Sequence, residues 1–222
     1  MPLLLPTLVR ERALWRAGAS RVAGVDEVGV GPLCAAVVTA AVILPPNVRA
    51  ARLAGVRDSK TILNPRKREE LAEIVRSVAV RVAVGAASPR EIERVNVRGA
   101  TALAMRRALA RVGQYDHALL DGRPMPGLDP DQHTFVVDGD ALCLSIACAS
   151  LVAKVTRDRL LELLAQRYPA YGWERNRGYA TAGHLAALRR YGPTPHHRGR
   201  FRPVLQAEMF PPEPAVPGAS PA

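Results

Sequence analysis

RVAGVDEVGVGPLCAAVVTAAVIL, residues 21–44, holds two β-branched-rich apolar runs, 22–25 and 35–44, separated by a Gly-Val-Gly-Pro turn and closed by Pro45-Pro46. That pattern reads as two strands joined by a loop. The first run ends in two adjacent carboxylates, Asp26 and Glu27. Acids are rarely buried unless they are paired or hold a metal, so their place at the end of an apolar strand points to function. Side chains alternate across a strand, so a regular strand cannot aim both acids at one site, and the chain is expected to end or bulge here. Gly29 and Gly31 then supply a backbone able to turn sharply and to let a partner approach closely.

Working outward, Asn64-Pro65 reads as an N-cap followed by proline at the first helical position, and Leu71, Ile74, Val75 and Val78 recur at helical spacing behind it. A third strand is expected over about 78–86. Ser88-Pro89-Arg90-Glu91 carries a capping-box pattern, and residues 98–112 hold Ala102, Leu103, Met105, Leu109 and Val112 beneath a basic face. Two short apolar strands, 117–120 and 134–137, run into Asp121-Gly122 and into Asp138-Gly139-Asp140. Residues 144–167 read as one long helix whose small-residue first half predicts close packing, and a further helix begins at Thr181. The tail 210–222, FPPEPAVPGASPA, lacks periodicity and is predicted to be disordered. The sum is a mixed α/β domain with carboxylates gathered where such sheets place their chemistry.

Two carboxylates about 4 Å apart repel by roughly 4 kcal/mol at an effective dielectric near 20, and Asp121 and Asp140 would add to that repulsion. A multivalent cation reverses the sign. An all-oxygen ligand set selects Mg2+ or Mn2+, and paired ions serve in-line displacement at phosphorus. Taken singly, Asp121 before glycine is an ordinary turn, and Asp140 reads the same way. A dinucleotide fingerprint is the rival reading of the glycines. It is disfavoured by Cys34 where its third glycine would stand and by acids that would repel a pyrophosphate.

The chain has 222 residues, of which 48% are hydrophobic, enough for one domain with a real core. Its 31 Lys and Arg against 20 Asp and Glu leave a net charge of +11, the footprint of a protein that meets polyanions, with nucleic acid the leading partner. Lys60, Lys67 and Lys154 are the only lysines, so arginine carries the charge. No long apolar run and no export-type leader is present, which predicts a soluble cytoplasmic protein. Cys34, Cys143 and Cys148 have neither disulfide-framework nor zinc-ribbon spacing and read as small buried hydrophobes.

These segments resemble the ribonuclease HII family nearly continuously over residues 22–204. VAGVDEVGVGPL (22–33), RDSK (57–60), LLDG (119–122), GDALCLSIACASLVAKVTRDR (139–159), YPAYGWERNRGYATAGH (168–184) and HRGRF (197–201) stand in the family's order. The resemblance implies a ribonuclease H-like fold, a mixed five-stranded sheet flanked by helices, with a C-terminal helical extension. It makes residues 1–209 one catalytic domain with C-terminal substrate-binding helices. It implies an endonuclease that hydrolyses the RNA strand of RNA/DNA hybrids and cuts on the 5′ side of ribonucleotides embedded in duplex DNA, leaving 3′-hydroxyl and 5′-phosphate ends. Its partners would be those nucleic acids, and it would act as a monomer away from membranes.

Carried over by position, the metal-binding and catalytic acids fall on Asp26, Glu27, Asp121 and Asp140, with two Mg2+ or Mn2+ ions when substrate is bound. Gly29, Val30 and Gly31 match the segment whose backbone senses the 2′-hydroxyl, and Tyr179 the tyrosine that packs on the neighbouring deoxyribose. Lys60 and Lys154 are expected at phosphates near the cut. Arg157-Asp158 is expected to form a structural ion pair, and His196-His197 to be solvated and unpaired. The chain departs from the family at Val30, where arginine or lysine is usual, at Arg200 in place of serine, and at Asn176 in place of a frequent histidine. A non-catalytic binding module and another nuclease on the same fold are the alternative readings.

Overall fold

The computed structural model describes residues 5–57, 59 and 62–209, so Lys60 and the Pro-rich tail 210–222 lie outside the described residues. Five strands, β1 (Val22–Val28), β2 (Val37–Ile43), β3 (Arg81–Ala87), β4 (His117–Asp121) and β5 (His133–Val136), form one mixed sheet in the order β3-β2-β1-β4-β5. The first three are antiparallel, and β4 and β5 run parallel to β1, which places β1 at the centre. This is the expected ribonuclease H-like sheet.

The helices start where their local chemistry predicts. Asn64 caps α2 (Pro65–Val78) by accepting from the Arg66 and Lys67 amides at 3.0 and 3.4 Å. Ser88 and Glu91 complete a reciprocal capping box on α3 (Pro89–Val112), which kinks at Asn96 where φ is 57°. Not every helix follows that logic. α1 (Val9–Arg16) has no side-chain cap, and the single turn α4 (Gly139–Leu142) follows β5 directly. α5 (Leu144–Arg167) has the expected bounds, but its N-terminus is capped from a distance. Fully buried Glu11 of α1 accepts from the Ser145 amide and hydroxyl at 2.8 and 2.7 Å.

One sheet face packs on α2 and the first half of α5, through Ala40, Val42, Leu71, Val75, Leu151 and Val152. The opposite face packs on α3 through Val25, Ala41, Met105 and Leu109. The second half of α5 continues into a third core with α6 (Trp173–Asn176), α7 (Ala182–Tyr191) and α8 (Arg202–Met209), built on Leu161, Trp173, Leu188 and Val204. α5 therefore joins the sheet to the C-terminal helices, and whatever lies along it is held by both. No helix among the described residues is long and apolar enough to cross a membrane. The three cysteines are buried and free, as expected.

Candidate active site

β1 does not end or bulge at the acid pair. Its antiparallel register with β2 runs unbroken through Asp26↔Ala40, Glu27↔Thr39 and Val28↔Val38. What ends is the ladder on the other side, where β1 and β4 last pair at Val25↔Leu120. Asp26 and Asp121 share a face with Gly24 and Leu119, toward α5, while Glu27 starts from the opposite face. Past the last β1–β4 pair the ladder is open, and the longer Glu27 side chain still brings a carboxylate oxygen to Asp26 and Asp121. Carboxylate oxygens of Asp26, Glu27 and Asp121 all lie within 4.8 Å of one another. The alternation rule correctly identified the conflict, and the opened ladder resolves it without disturbing β1.

Asp26 is buried, and its carboxylate accepts from the Glu27 amide at 2.6 Å and from the Ser150 hydroxyl of α5, which lies 3.0 Å from the Ser59 hydroxyl. Burial pushes its pKa well above the ordinary range, and the charges of Glu27 and then Asp121 push it further. The Ser150 bond opposes this, and Asp140 adds the smallest increment. Asp121 accepts from the Gly139 amide at 2.7 Å, which ties β4 to the start of α4. Asp140 is buried on α4 rather than at a strand end, and its carboxylate stands outside the three-acid group. Crowded oxygens at a raised pKa suit a hard divalent cation, which would replace mutual repulsion by attraction.

Beside the acids the chain turns at Gly29, with φ at +92°, and Val30 and Gly31 are exposed. The Tyr179 ring edge lies 3.7 Å from where a Gly31 side chain would begin, so the two sequence-distant segments face one site. Tyr179 itself is half exposed. The Leu33 amide donates to Gly178 at 2.8 Å and keeps the segments together.

Several surroundings differ from expectation. Arg157 and Asp158 do not pair with each other, because neighbouring helical residues point about 100° apart. Asp158 instead meets Lys154 at 2.7 Å, Arg68 at 3.3 Å and Arg177 at 3.9 Å. Lys154 is therefore a partly buried member of a cationic cluster, its pKa lowered by burial. His197 is neither solvated nor unpaired. Its Nδ1 accepts from the Thr194 amide at 2.9 Å, so Nε2 carries the proton and donates to Nε2 of His184 at 3.0 Å. His184 Nδ1 then donates to the Tyr179 carbonyl at 2.9 Å, and Trp173 Nε1 donates to His184 Nε2 at 3.1 Å. Burial, then the neighbouring His184, pushes His197 down to about 3, so this relay under Tyr179 stays neutral. Ser150, Glu11 and the His184 link to His197 were not singled out in the sequence. Only the small-residue half of α5 hinted that the strand and helix nearly touch.

The ribonuclease HII family model matches residues 23–204. A ribonuclease HII from a Synechococcus strain is 52% identical over 204 residues, 91% of each chain. That of Paramagnetospirillum magneticum is 52% identical over 190 residues, 85% of this chain and 94% of the relative. The crystal structure of ribonuclease H2 from Pyrococcus horikoshii shares the fold with a TM-score of 0.71 and 26% identity, covering 85% of this chain and 97% of that one. The match runs from the central strand that carries the acid pair to the last helix of the C-terminal core, and the chain accordingly belongs to the ribonuclease HII family, ribonuclease H endonucleases that degrade RNA in RNA/DNA hybrids.

Proposed function

We propose that this chain cuts duplex DNA on the 5′ side of an embedded ribonucleotide, as well as the RNA strand of hybrids, and leaves 3′-hydroxyl and 5′-phosphate ends. The observation that carries the reading is the convergence of Asp26, Glu27 and Asp121 beside a glycine turn that faces Tyr179. Asp26, Glu27 and Asp121, with Asp140 next to them, would hold two divalent ions, Mg2+ or Mn2+, which when bound lower the pKa of water and stabilise attacking and leaving oxygens at phosphorus. Ser150 keeps Asp26 aimed and partly offsets its burial. The amides of the Val30–Gly31 turn read the 2′-hydroxyl, which is not the nucleophile. Tyr179 packs on the adjoining deoxyribose, and Lys60, with Lys154 held in place by Asp158, supplies positive charge toward the backbone phosphates. Residues 1–209 act as one monomeric catalytic unit in the cytoplasm, with the C-terminal helices carrying the junction-reading side.

The test is to incubate the protein with Mg2+ or Mn2+ and a duplex bearing one ribonucleotide, beside an all-DNA duplex, and to map the cut. A metal-dependent cut on the 5′ side of the ribonucleotide, absent from all-DNA, is expected. Binding without metal-dependent turnover would instead favour a non-catalytic nucleic-acid module. Cleavage of all-DNA would favour a nuclease blind to ribose.

Val30 bears on affinity rather than chemistry. It is exposed at the turn where relatives usually carry a cation, so one phosphate or nucleotide contact is missing while the backbone remains. Val30→Arg is expected to lower KM about three- to ten-fold and to sharpen junction preference with kcat little changed, the size of one charge-assisted contact. Steady-state kinetics decide it, and an unchanged KM and junction preference would refute the idea.

A further inference from the structure

Two arginines lie under the glycine turn, and both are almost completely buried, Arg198 at 0% and Arg157 at 1% exposure. Among the described residues neither forms a salt bridge, and their donors go to backbone carbonyls. Arg198 reaches Gly29 O at 2.5 Å, Val30 O at 2.8 Å and Ala35 O at 2.9 and 3.1 Å. Arg157 reaches Cys34 O and Arg177 O at 3.1 Å and Ala36 O at 3.2 Å. A side chain at Gly29 would begin 2.2 Å from Arg157 Nε, so the arginine fills the floor of the turn. The Phe201 ring, 5.2 Å from Arg198 Cζ, closes the other side.

Burying a guanidinium without a carboxylate is unfavourable, and an apolar side chain would fill the same volume at less expense in free energy. The carbonyls that justify it belong to the peptide units whose N–H groups are those of Val30 and Gly31. Both peptides are trans, so each N–H points opposite its carbonyl, away from Arg198. Neither amide donates a hydrogen bond within the described residues, and both residues are exposed. A cation on the carbonyl end of a peptide polarises it and strengthens its N–H as a donor, and a rigid fork fixes the spacing of the two amides.

We propose that Arg198 is a positioning residue for ribose recognition: its guanidinium holds the Gly29 and Val30 carbonyls from beneath so that the next two amides face outward as fixed, polarised donors. Arg157 sets the floor of the same turn. The proposal rests on the reading that this turn senses the 2′-hydroxyl. It also explains how a turn lacking a side-chain cation at Val30 keeps a positive face.

The test compares binding of two fluorescent duplexes, one with a single ribonucleotide and one all-DNA, with Ca2+ in place of Mg2+ so that binding is read without turnover. Wild-type protein and Arg198→Lys are measured, and circular dichroism checks the fold. Lysine keeps the charge but loses the fork, so the ribo-to-deoxy preference is expected to fall about five-fold or more, while all-DNA affinity stays within about two-fold. A general loss of structure would weaken both duplexes alike and leave that ratio unmoved. A folded Arg198→Lys protein with wild-type preference overturns the proposal. A wild-type protein that shows no preference overturns the reading of the turn itself, and the proposal with it. If Arg198→Lys does not fold, Phe201→Leu, which only loosens the guanidinium plane, is expected to lower the preference about two- to three-fold, and an unchanged ratio overturns the proposal.

Discussion

Asp26→Asn is expected to lower kcat by at least about a thousand-fold and at the same time to raise the thermal midpoint of the metal-free protein. The first effect follows from removing a charged oxygen from the middle of the three-acid group. The second follows from its electrostatics. Asp26 is buried beside Glu27 and Asp121, and burial first, then those two charges, hold its pKa well above the ordinary carboxylate range. For an acid shifted in that direction the folded state binds the proton more tightly than the unfolded chain does. The destabilisation is therefore absent below the ordinary carboxylate range, grows as pH rises toward the elevated folded value, and is complete above it. Asparagine keeps the shape and can still accept from the Glu27 amide, but it carries no charge at any pH. Calorimetry in EDTA should show the variant gaining about 2–4 °C for each kcal/mol of relieved repulsion at neutral pH, with the gain vanishing at acid pH. Mg2+ should raise the midpoint of the wild type more than that of the variant. A variant that keeps a tenth of its activity, or that melts below the wild type without metal, would remove Asp26 from the role proposed for it.

Gly24→Ala carries the second large effect, and its origin is steric. A methyl group at Gly24 would stand 2.2 Å from the Ser145 carbonyl carbon, 2.5 Å from the Ile146 amide nitrogen and 2.5 Å from Ser145 Cβ. The first two are backbone, so no rotamer change relieves the contact. The helix cannot retreat freely either. Its first turn is held by Glu11 on Ser145 and by the Leu144 amide on Thr7 O at 2.9 Å. Forcing strand and helix apart should lower stability by about 3 kcal/mol or more, at the upper end of overpacking, and the midpoint by roughly 6–12 °C. Activity should fall more than about ten-fold even where the protein is folded, because Gly24 shares a face with Asp26 and the displaced helix carries Ser150. Calorimetry together with cleavage at 20 °C, about room temperature, measures both. A midpoint within about 2 °C of wild type would mean that α5 yields more easily than its anchors imply.

The parts of the fold legible in the sequence were those whose determinants lie within a turn or two of each other. Asn64 with Pro65, Ser88 with Glu91 and Thr181 before its helix each satisfy amides two or three residues away, so the starts of α2, α3 and α7 were readable. The five strands were readable as apolar runs, and their limits shifted by a few residues because ladder pairing, not composition, ends a strand. α1, α4 and α6 were missed for the same reason in reverse, since none has a side-chain cap to announce it.

At the candidate site the residues were legible and their arrangement was not. Composition, motif order and the apolar setting of Asp26 and Glu27 were enough to indicate the family and to single out the acids. They could not show that Glu27 meets Asp26 and Asp121 past an opened β1–β4 ladder, or that Asp140 sits on a helical turn outside the closest group. Nor could they show that His197 is buried against His184, or that Arg157 turns away from Asp158 to backbone carbonyls. Those outcomes depend on burial, which changes the energy of a charge or a hydrogen bond far more than its sequence neighbours do. The contact that orders the glycine turn joins residues 169 positions apart. Amino-acid type and local spacing indicated the family and its candidate acids, and only packing of the sheet against α5 and the C-terminal helices decided which charges gather at the candidate site and which lie buried under the glycine turn.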